Sequence, residues 1–342
     1  MKMKYLFVLT VLVGMAGSSY AASVYPVQSG NWADPNTWGT YGVPPLTGTD
    51  EYKVFASASD LALNGMTITV NSNVGSYTVA KIDLARATTL EIQAGAVFGN
   101  DKELRVGDAG ATGNGGAQSD DGYVNQTGGT LTIGGTGKLE IGYKTLTLGT
   151  TGTDGGIYTI SGGTLQGSGS IYVAAAGGDG TLGKMIVDGS AGTISMTGSL
   201  YVANDSASSS GNIGNGTVEF KCDASGAVSK IQVLKTVVDS QDEEAAVAAL
   251  VVDMTAGTAT GDVVLIENTG ADAVVGGFDT LNKAVATEGS VYEIGSGWFK
   301  LTYNYAAGAD MVGNDIALVM VPEPATIAVL GLGGLLLRRR FA

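Results

Sequence analysis

Beyond Tyr52, apolar and polar residues alternate with period two in short runs. These are Thr67-Ile68-Thr69-Val70, Tyr77-Thr78-Val79, Lys81-Ile82-Asp83-Leu84 and Leu90-Glu91-Ile92, with turn-forming residues between them. Alternation of this kind predicts strands that bury one face. The runs then become a repeat. An apolar-x-apolar-small unit stands at Leu104-Arg105-Val106-Gly107, Leu139-Glu140-Ile141-Gly142, Ile171-Tyr172-Val173-Ala174 and Leu200-Tyr201-Val202-Ala203, at intervals of 35, 32 and 29. A Gly-Thr-apolar unit recurs at Gly129-Thr130-Leu131, Gly163-Thr164-Leu165, Gly192-Thr193-Ile194 and Gly216-Thr217-Val218. A third alternating run precedes it at Tyr123-Val124-Asn125, Tyr158-Thr159-Ile160 and Met185-Ile186-Val187.

A period near 30 residues with no helical segment in the repeat predicts an all-β solenoid. One coil cannot bury its inward side chains alone; stacking coils at about 4.8 Å closes a continuous apolar core. A β-sandwich could use similar strands, but would not force this ordered repetition. The variable intervals place insertions in the turns 108–122, 149–156 and 204–216. Some ten coils would make a rod about 50 Å long.

The flanks read as caps. Trp32 and Trp38, set among turn formers in Ser29–Gly39, suit an aromatic plug over one end of the core. The alternative is a sugar-stacking platform. Beyond Lys230 the repeat fades. Ser240-Gln241-Asp242-Glu243 has capping-box spacing and predicts a short helix over Glu244–Leu250. The order Phe299 to Tyr303, Gly313-Asn314-Asp315, Ile316 to Val319 reads as a distal cap that blocks the open sheet edge. The stretch from about 100 to 220 resembles the glycine- and threonine-rich repeats of autotransporter-like passengers. The opening block resembles the start of many secreted β-helix proteins. The likeness implies a right-handed parallel β-helix with an N-terminal aromatic cap and C-terminal capping rungs.

Both ends of the chain carry address signals. Lys2 and Lys4, an apolar core from Tyr5 to Ala16, and Ser19-Tyr20-Ala21 form a secretory signal, so the mature chain is expected to begin near Ala22. At the other end stand Pro322-Glu323-Pro324, a 13-residue apolar run from Ala325 to Leu337, and Arg338-Arg339-Arg340. The two prolines hold the chain extended, so that an enzyme can grip it. The apolar run covers about 20 Å as a helix, short of the roughly 30 Å hydrocarbon core, and the arginines hold its end on the cytoplasmic side. This tail resembles the PEP-CTERM sorting signal of Gram-negative bacteria. The resemblance implies that an exosortase, a membrane cysteine protease-transpeptidase, recognises Pro322-Glu323-Pro324. Cleavage near that motif and transfer to the cell surface or exopolysaccharide matrix would follow. The organisation expected is a signal peptide (1–21), an N-terminal cap with first coils (22–100), the repeat solenoid (101–230), C-terminal rungs and cap (231–320), and the sorting segment (322–342). Signal peptidase, the Sec translocon, an exosortase and a matrix polysaccharide are the partners implied.

The net charge is −14 and five of the 18 basic residues lie in the terminal signals, so the mature chain is more acidic still. Such a surface repels nucleic acid and anionic membrane. Outside the tail the arginines are Arg86 and Arg105, too few for an anion-binding cluster. The single cysteine, Cys222, allows no internal disulfide. The absence of histidine removes Ser-His and Cys-His nucleophile pairs, histidine zinc sites and histidine general bases. Gly135-Thr136-Gly137-Lys138 fails the Walker pattern at Thr132 and Leu139. Carbohydrate chemistry on stacked coils would draw on Asp, Glu, Lys and Arg, with Lys138, Lys144 and Arg105 near the sheet. Asp108, Asp120, Asp121 and Asp179, in glycine-rich turns, offer oxygen ligands for calcium, although no complete calcium loop exists. The expectation is a non-enzymatic, structural or adhesive protein of the cell surface or matrix, without a required cofactor. The alternatives are a polysaccharide lyase or hydrolase on the same fold, favoured by carboxylates and a lysine stacked on one face, and a carbohydrate-binding module.

Overall fold

A computed structural model describes residues 23–45, 51–54, 65–78, 81–108, 121–144, 155–174, 182–204, 214–238, 247–308 and 312–323. They form a β-solenoid of stacked parallel coils. One strand from each coil enters an eight-stranded parallel sheet: Ser23–Val24, Glu51–Val54, Lys81–Leu84, Glu103–Asp108, Lys138–Lys144, Ser170–Val173, Leu200–Val202 and Thr236–Val238, in that spatial order. The chain then turns into a second wall of two parallel rows. In the first, Thr88–Ile92, the start of Gly122–Ile133, the start of Gly155–Gly167, Leu182–Asp188, Asn215–Lys221 and Ala248–Asp253 pair in order. In the next, Val97–Asn100, the ends of the two long strands, Gly192–Met196, Ile231–Val233 and Val263–Asn268 follow. Eight strands span about 34 Å at the usual spacing, shorter than the rod expected. The four coils between Glu103 and Val233 are the four repeats of the sequence.

The alternating runs point where period two directs them. Ile82, Leu84, Leu104, Val106, Leu139, Ile141, Ile171, Val173, Leu200 and Val202 are all fully buried and fill the core from one wall. The small fourth residue of each unit has a conformational reason. Gly107, Gly142, Ala174 and Ala203 all have positive φ, from 46° to 81°, and turn the chain out of the first sheet. They pack against a row of Gly122, Gly156, Gly183 and Gly216, which lie in register from coil to coil. A Cβ on Gly156 would stand 1.9 Å from the Val106 carbonyl oxygen. The two walls therefore meet backbone to backbone at this edge.

Three expectations change. Gly216-Thr217-Val218 is not a fourth copy of the Gly-Thr-apolar unit, because Thr217 pairs with Lys184 in the first row. The matching place in the next row is taken by Ile231, opposite Ile194. The helix over Glu244–Leu250 is not formed at its end: Ala248–Asp253 is a strand, while 239–246 lie outside the described residues. Ala248, Leu250 and Val252 face the core there, and coil-to-coil pairing overrides helix propensity. Finally, parallel rungs continue as far as Val263–Asn268 and Thr280–Leu281, but the closing strands beyond them are antiparallel. Gly313–Val321 runs antiparallel to Val263–Asn268, Gly297–Ala306 pairs antiparallel beyond it, and Val291–Ile294 forms the edge. The insertions 109–120, 145–154, 175–181 and 205–213 lie outside the described residues.

Candidate functional site

The outer face of the eight-stranded sheet gathers charged and aromatic side chains into ordered rows. Residues between inward-facing ones must point out, and in-register stacking aligns them in rows. One row holds Asp83, Arg105, Glu140, Tyr172 and Tyr201; beside it run Lys81, Glu103, Lys138 and Ser170. Charge alternates in sign along and across these rows. Arg105 Nε donates to Glu140 Oε2 at 3.0 Å and Arg105 Nη2 to Glu103 Oε2 at 2.5 Å. Lys138 Nζ stands 3.7 Å from Glu140 Oε1, and Lys81 Nζ 3.5 Å from Asp83. The Lys138 ammonium also lies 5.1 Å from the Tyr172 ring centre. Tyr172 and Tyr201 stack with centroids 4.6 Å apart and planes 11° from parallel.

Glu140 is the most unusual group here. Its side chain is 3% exposed. Burial raises its pKa to about 6; Arg105 opposes that rise, Glu103 adds to it and Lys138 opposes it. Tyr172 is pushed up to about 12, chiefly by burial. Chemically, Glu140 is a carboxyl that can take or release a proton near neutral pH, but its oxygens already face two cations. The tyrosines stack face on face along the rod axis, and Lys138 covers the other face of Tyr172.

The opposite wall mixes ion pairs with neutral polar rows; Glu219 pairs with Lys184 and stands 3.8 Å from Lys221. Thr130, Thr164 and Thr193 form one row. Thr132, Gln166, Ser195, Gln232 and Glu267 form the next. Ser195 Oγ donates to Gln232 at 3.1 Å, and Gln232 Nε2 donates to Glu267 at 3.3 Å. Lys230 pairs with the same Glu267. A depression of about 300 Å³ lies between the Ser225–Val228 and Ala259–Val264 turns. Asp262 in it accepts from Met320 N at 2.9 Å and Tyr305 OH at 3.0 Å.

The residues singled out from sequence fall in several places. Trp32 and Trp38 are both fully buried, so the sugar-stacking platform is excluded for them and the plug is what they form. Trp32 packs edge-on to Trp38 and Phe98 at 5.0 Å each, and to Tyr77 at 5.6 Å. Trp32 Nε1 donates to Tyr77 OH at 2.6 Å, and Trp38 Nε1 to the Trp32 carbonyl at 2.8 Å, which satisfies both indoles inside the cluster. Asp34 caps the one-turn helix Pro35–Trp38 that seats Trp38. Of the calcium candidates, Asp121 accepts from Gly155 N at 2.7 Å and Tyr123 OH at 3.2 Å. Asp108 ends a strand, and Asp120 and Asp179 lie outside the described residues. Among the described residues no three His, Cys, Asp or Glu cluster to hold a metal. The thiol of Cys222 is buried and pushed up to about 11, by burial and then by Asp223 and Asp253. Pro322 and Glu323 follow the last strand and are exposed; Pro324 and Arg338, Arg339 and Arg340 lie outside the described residues. Among the described residues no helix is long and apolar enough to cross a membrane.

Sequence reading named Arg105 and Lys138 but not the row that joins them to Glu140, Tyr172 and Tyr201. The signal was present: each except Lys138 is the x of an apolar-x-apolar unit, and equal positions in successive repeats become neighbours in space. Comparisons with protein-family models, with curated proteins and with solved structures give no match.

Proposed function

We propose that this protein is exported to the surface or extracellular matrix of a Gram-negative cell, where it serves as a structural or adhesive rod. Its tail, with Pro322-Glu323-Pro324, is the sorting signal for an exosortase. The observation that carries this reading is the exposure of Pro322 and Glu323 directly after the cap strand Gly313–Val321. A protease can grip an extended segment there while the solenoid stays folded. The structural role draws support from the charged face, whose carboxylates and cations are engaged with one another rather than converging on an open cleft. Thr130, Thr164 and Thr193, with Thr132, Gln166, Ser195 and Gln232 beside them, suit contact with matrix sugars through hydroxyl and amide groups.

A second reading, a polysaccharide lyase or hydrolase, draws on one observation: two glutamates and a lysine share a face, with Glu140 poised near pH 6. Burial of Glu140 and its pairing with Arg105 weigh against it. Loss of polymer cleavage in Glu140→Gln, from a purified protein that cleaves, would replace the structural reading.

Fractionation of cells tests the leading proposal. With an antibody against the solenoid, the native protein is expected at the surface or in the matrix. Pro322→Ala with Pro324→Ala is expected to leave a longer precursor in the inner membrane. Equal inner-membrane retention of both would refute the sorting role.

A further inference from the structure

The C-terminal cap sheet has one face in the core and one outside. Directly opposed residues of antiparallel strands share a face. Trp298 opposes Val321 on one side and Glu293 on the other, while Lys300 opposes Val319 and Val291. Phe299 and Leu301 are fully buried, so Trp298, Glu293, Val319, Val321, Val291 and Lys300 form the outer face, with Glu293 exposed. Val291 is 47% exposed, and Trp298, Val319, Val321 and Lys300 are half-buried. Trp298 is the tryptophan left outside the N-terminal plug.

The outer face lies where the chain leaves for its tail. Three residues, Pro322 to Pro324, separate Val321 from the apolar run that begins at Ala325. Fully extended, the four steps from Val321 to Ala325 reach about 14 Å. If Ala325 enters a bilayer, the cap cannot stand further from it than that. The apolar run is itself shorter than the hydrocarbon core, which draws the attached domain closer. A partly buried tryptophan beside valines, with Lys300 to meet phosphate and Glu293 to meet the choline ammonium, suits a zwitterionic head-group region, where indole rings settle.

We propose that this outer face rests on the bilayer surface while the tail is still attached; the inference depends on the tail reading above. The partner is the zwitterionic lipid surface, and the contact would orient the precursor so that Pro322-Glu323-Pro324 lies at the depth of a membrane protease. The test uses residues 22–342, without the apolar segment Tyr5–Ala16 that could itself insert, in phosphatidylcholine vesicles with and without lipids brominated near the head-group end of the acyl chain. Flotation reports insertion of the tail, and tryptophan emission reports the face. The expected result is flotation with quenched emission. Quenching is lost in Trp298→Phe, because Trp32 and Trp38 are buried within the N-terminal plug. It is reduced several-fold in Val291→Asp, which keeps Trp298 and changes an exposed side chain. Flotation without quenching, or quenching that survives Trp298→Phe, overturns the docking and leaves the tail reading standing. Failure to float overturns both.

Discussion

At the N-terminal end the first coils are covered by side chains; at the C-terminal end the last coil is covered by a change of strand direction. The first device is dry. Trp32, Trp38, Tyr52, Tyr77 and Phe98 are essentially fully buried, and their few polar atoms bond within the plug or to nearby backbone. Its strength lies in buried area and edge-to-face packing. The second device is polar. An antiparallel strand laid on a parallel stack meets it with a broken hydrogen-bond register, and side chains repair the gaps. Asp315 Oδ1 accepts from Asn268 N at 2.8 Å, and Asp315 Oδ2 from Ala307 N at 2.6 Å. Asn268 accepts from Thr236 Oγ1 at 2.6 Å and donates to the Asn314 carbonyl. Asn314 Nδ2 donates to the Gly270 carbonyl at 2.6 Å. A stack of identical coils has no intrinsic end, so each terminus needs its own chemistry. Area suffices where the chain begins, whereas a reversal of direction needs specific donors and acceptors.

The contrast can be broken at its strongest point first. Trp32→Ala should cost about 4 kcal/mol, since it removes the ring at the centre of the plug and leaves a cavity. Urea unfolding followed by circular dichroism measures it. Hydrogen exchange should show the loss of protection confined to the coils before Asn100, because each coil in a solenoid depends on its neighbours. Asp315→Ala should cost about 3 kcal/mol by stranding two backbone donors in a buried site. Its exchange should rise between residues 263 and 321 instead. If either variant loosened both ends equally, the caps would not be independent.

The middle of the rod sharpens the comparison. Burial raises the Glu140 pKa from an ordinary 4.5 to about 6, so the folded state binds this proton more tightly than the unfolded chain. The resulting stabilisation is complete below about pH 4.5 and is lost as pH rises through 6. The swing is on the order of 2 kcal/mol. Glu140→Gln should flatten that part of the stability-pH curve while leaving the exchange pattern at both ends unchanged. The smallest effect is expected from Tyr77→Phe, about 1 kcal/mol, because the ring stays and only the acceptor for Trp32 Nε1 goes. A cost as large as that of Trp32→Ala would mean the plug depends on its polar bond, and the contrast between the ends would fail.

Much of this was legible in the chain. Period-two runs fix which side chains face inward, and the repeated small residues at 107, 142, 174 and 203 mark the corner where φ turns positive. Trp32 and Trp38, six apart among turn formers, suited an aromatic plug, and their full burial closes the sugar-stacking alternative. Other features misled. Gly-Thr-Val at 216–218 fits two rows equally well by composition, and only Lys184 opposite Thr217 decides between them. Ala248 to Leu250 favours a helix locally, yet the ladder from Val218 to Leu250 holds it extended.

The sequence by itself determined the solenoid, its repeating coils and its two closed ends, because alternation and repetition are local properties that stacking must respect. Its last residues also hold the Pro322-Glu323-Pro324 motif and apolar run on which the proposed function rests. The tertiary structure alone decided which outward residues become neighbours, that Arg105 and Lys138 meet at Glu140, and that both plug tryptophans turn inward. It also decided that the last strands reverse direction. The physical reason is register. A row along the rod joins residues about thirty positions apart, and their contact depends on coil-to-coil pairing that no local pattern records.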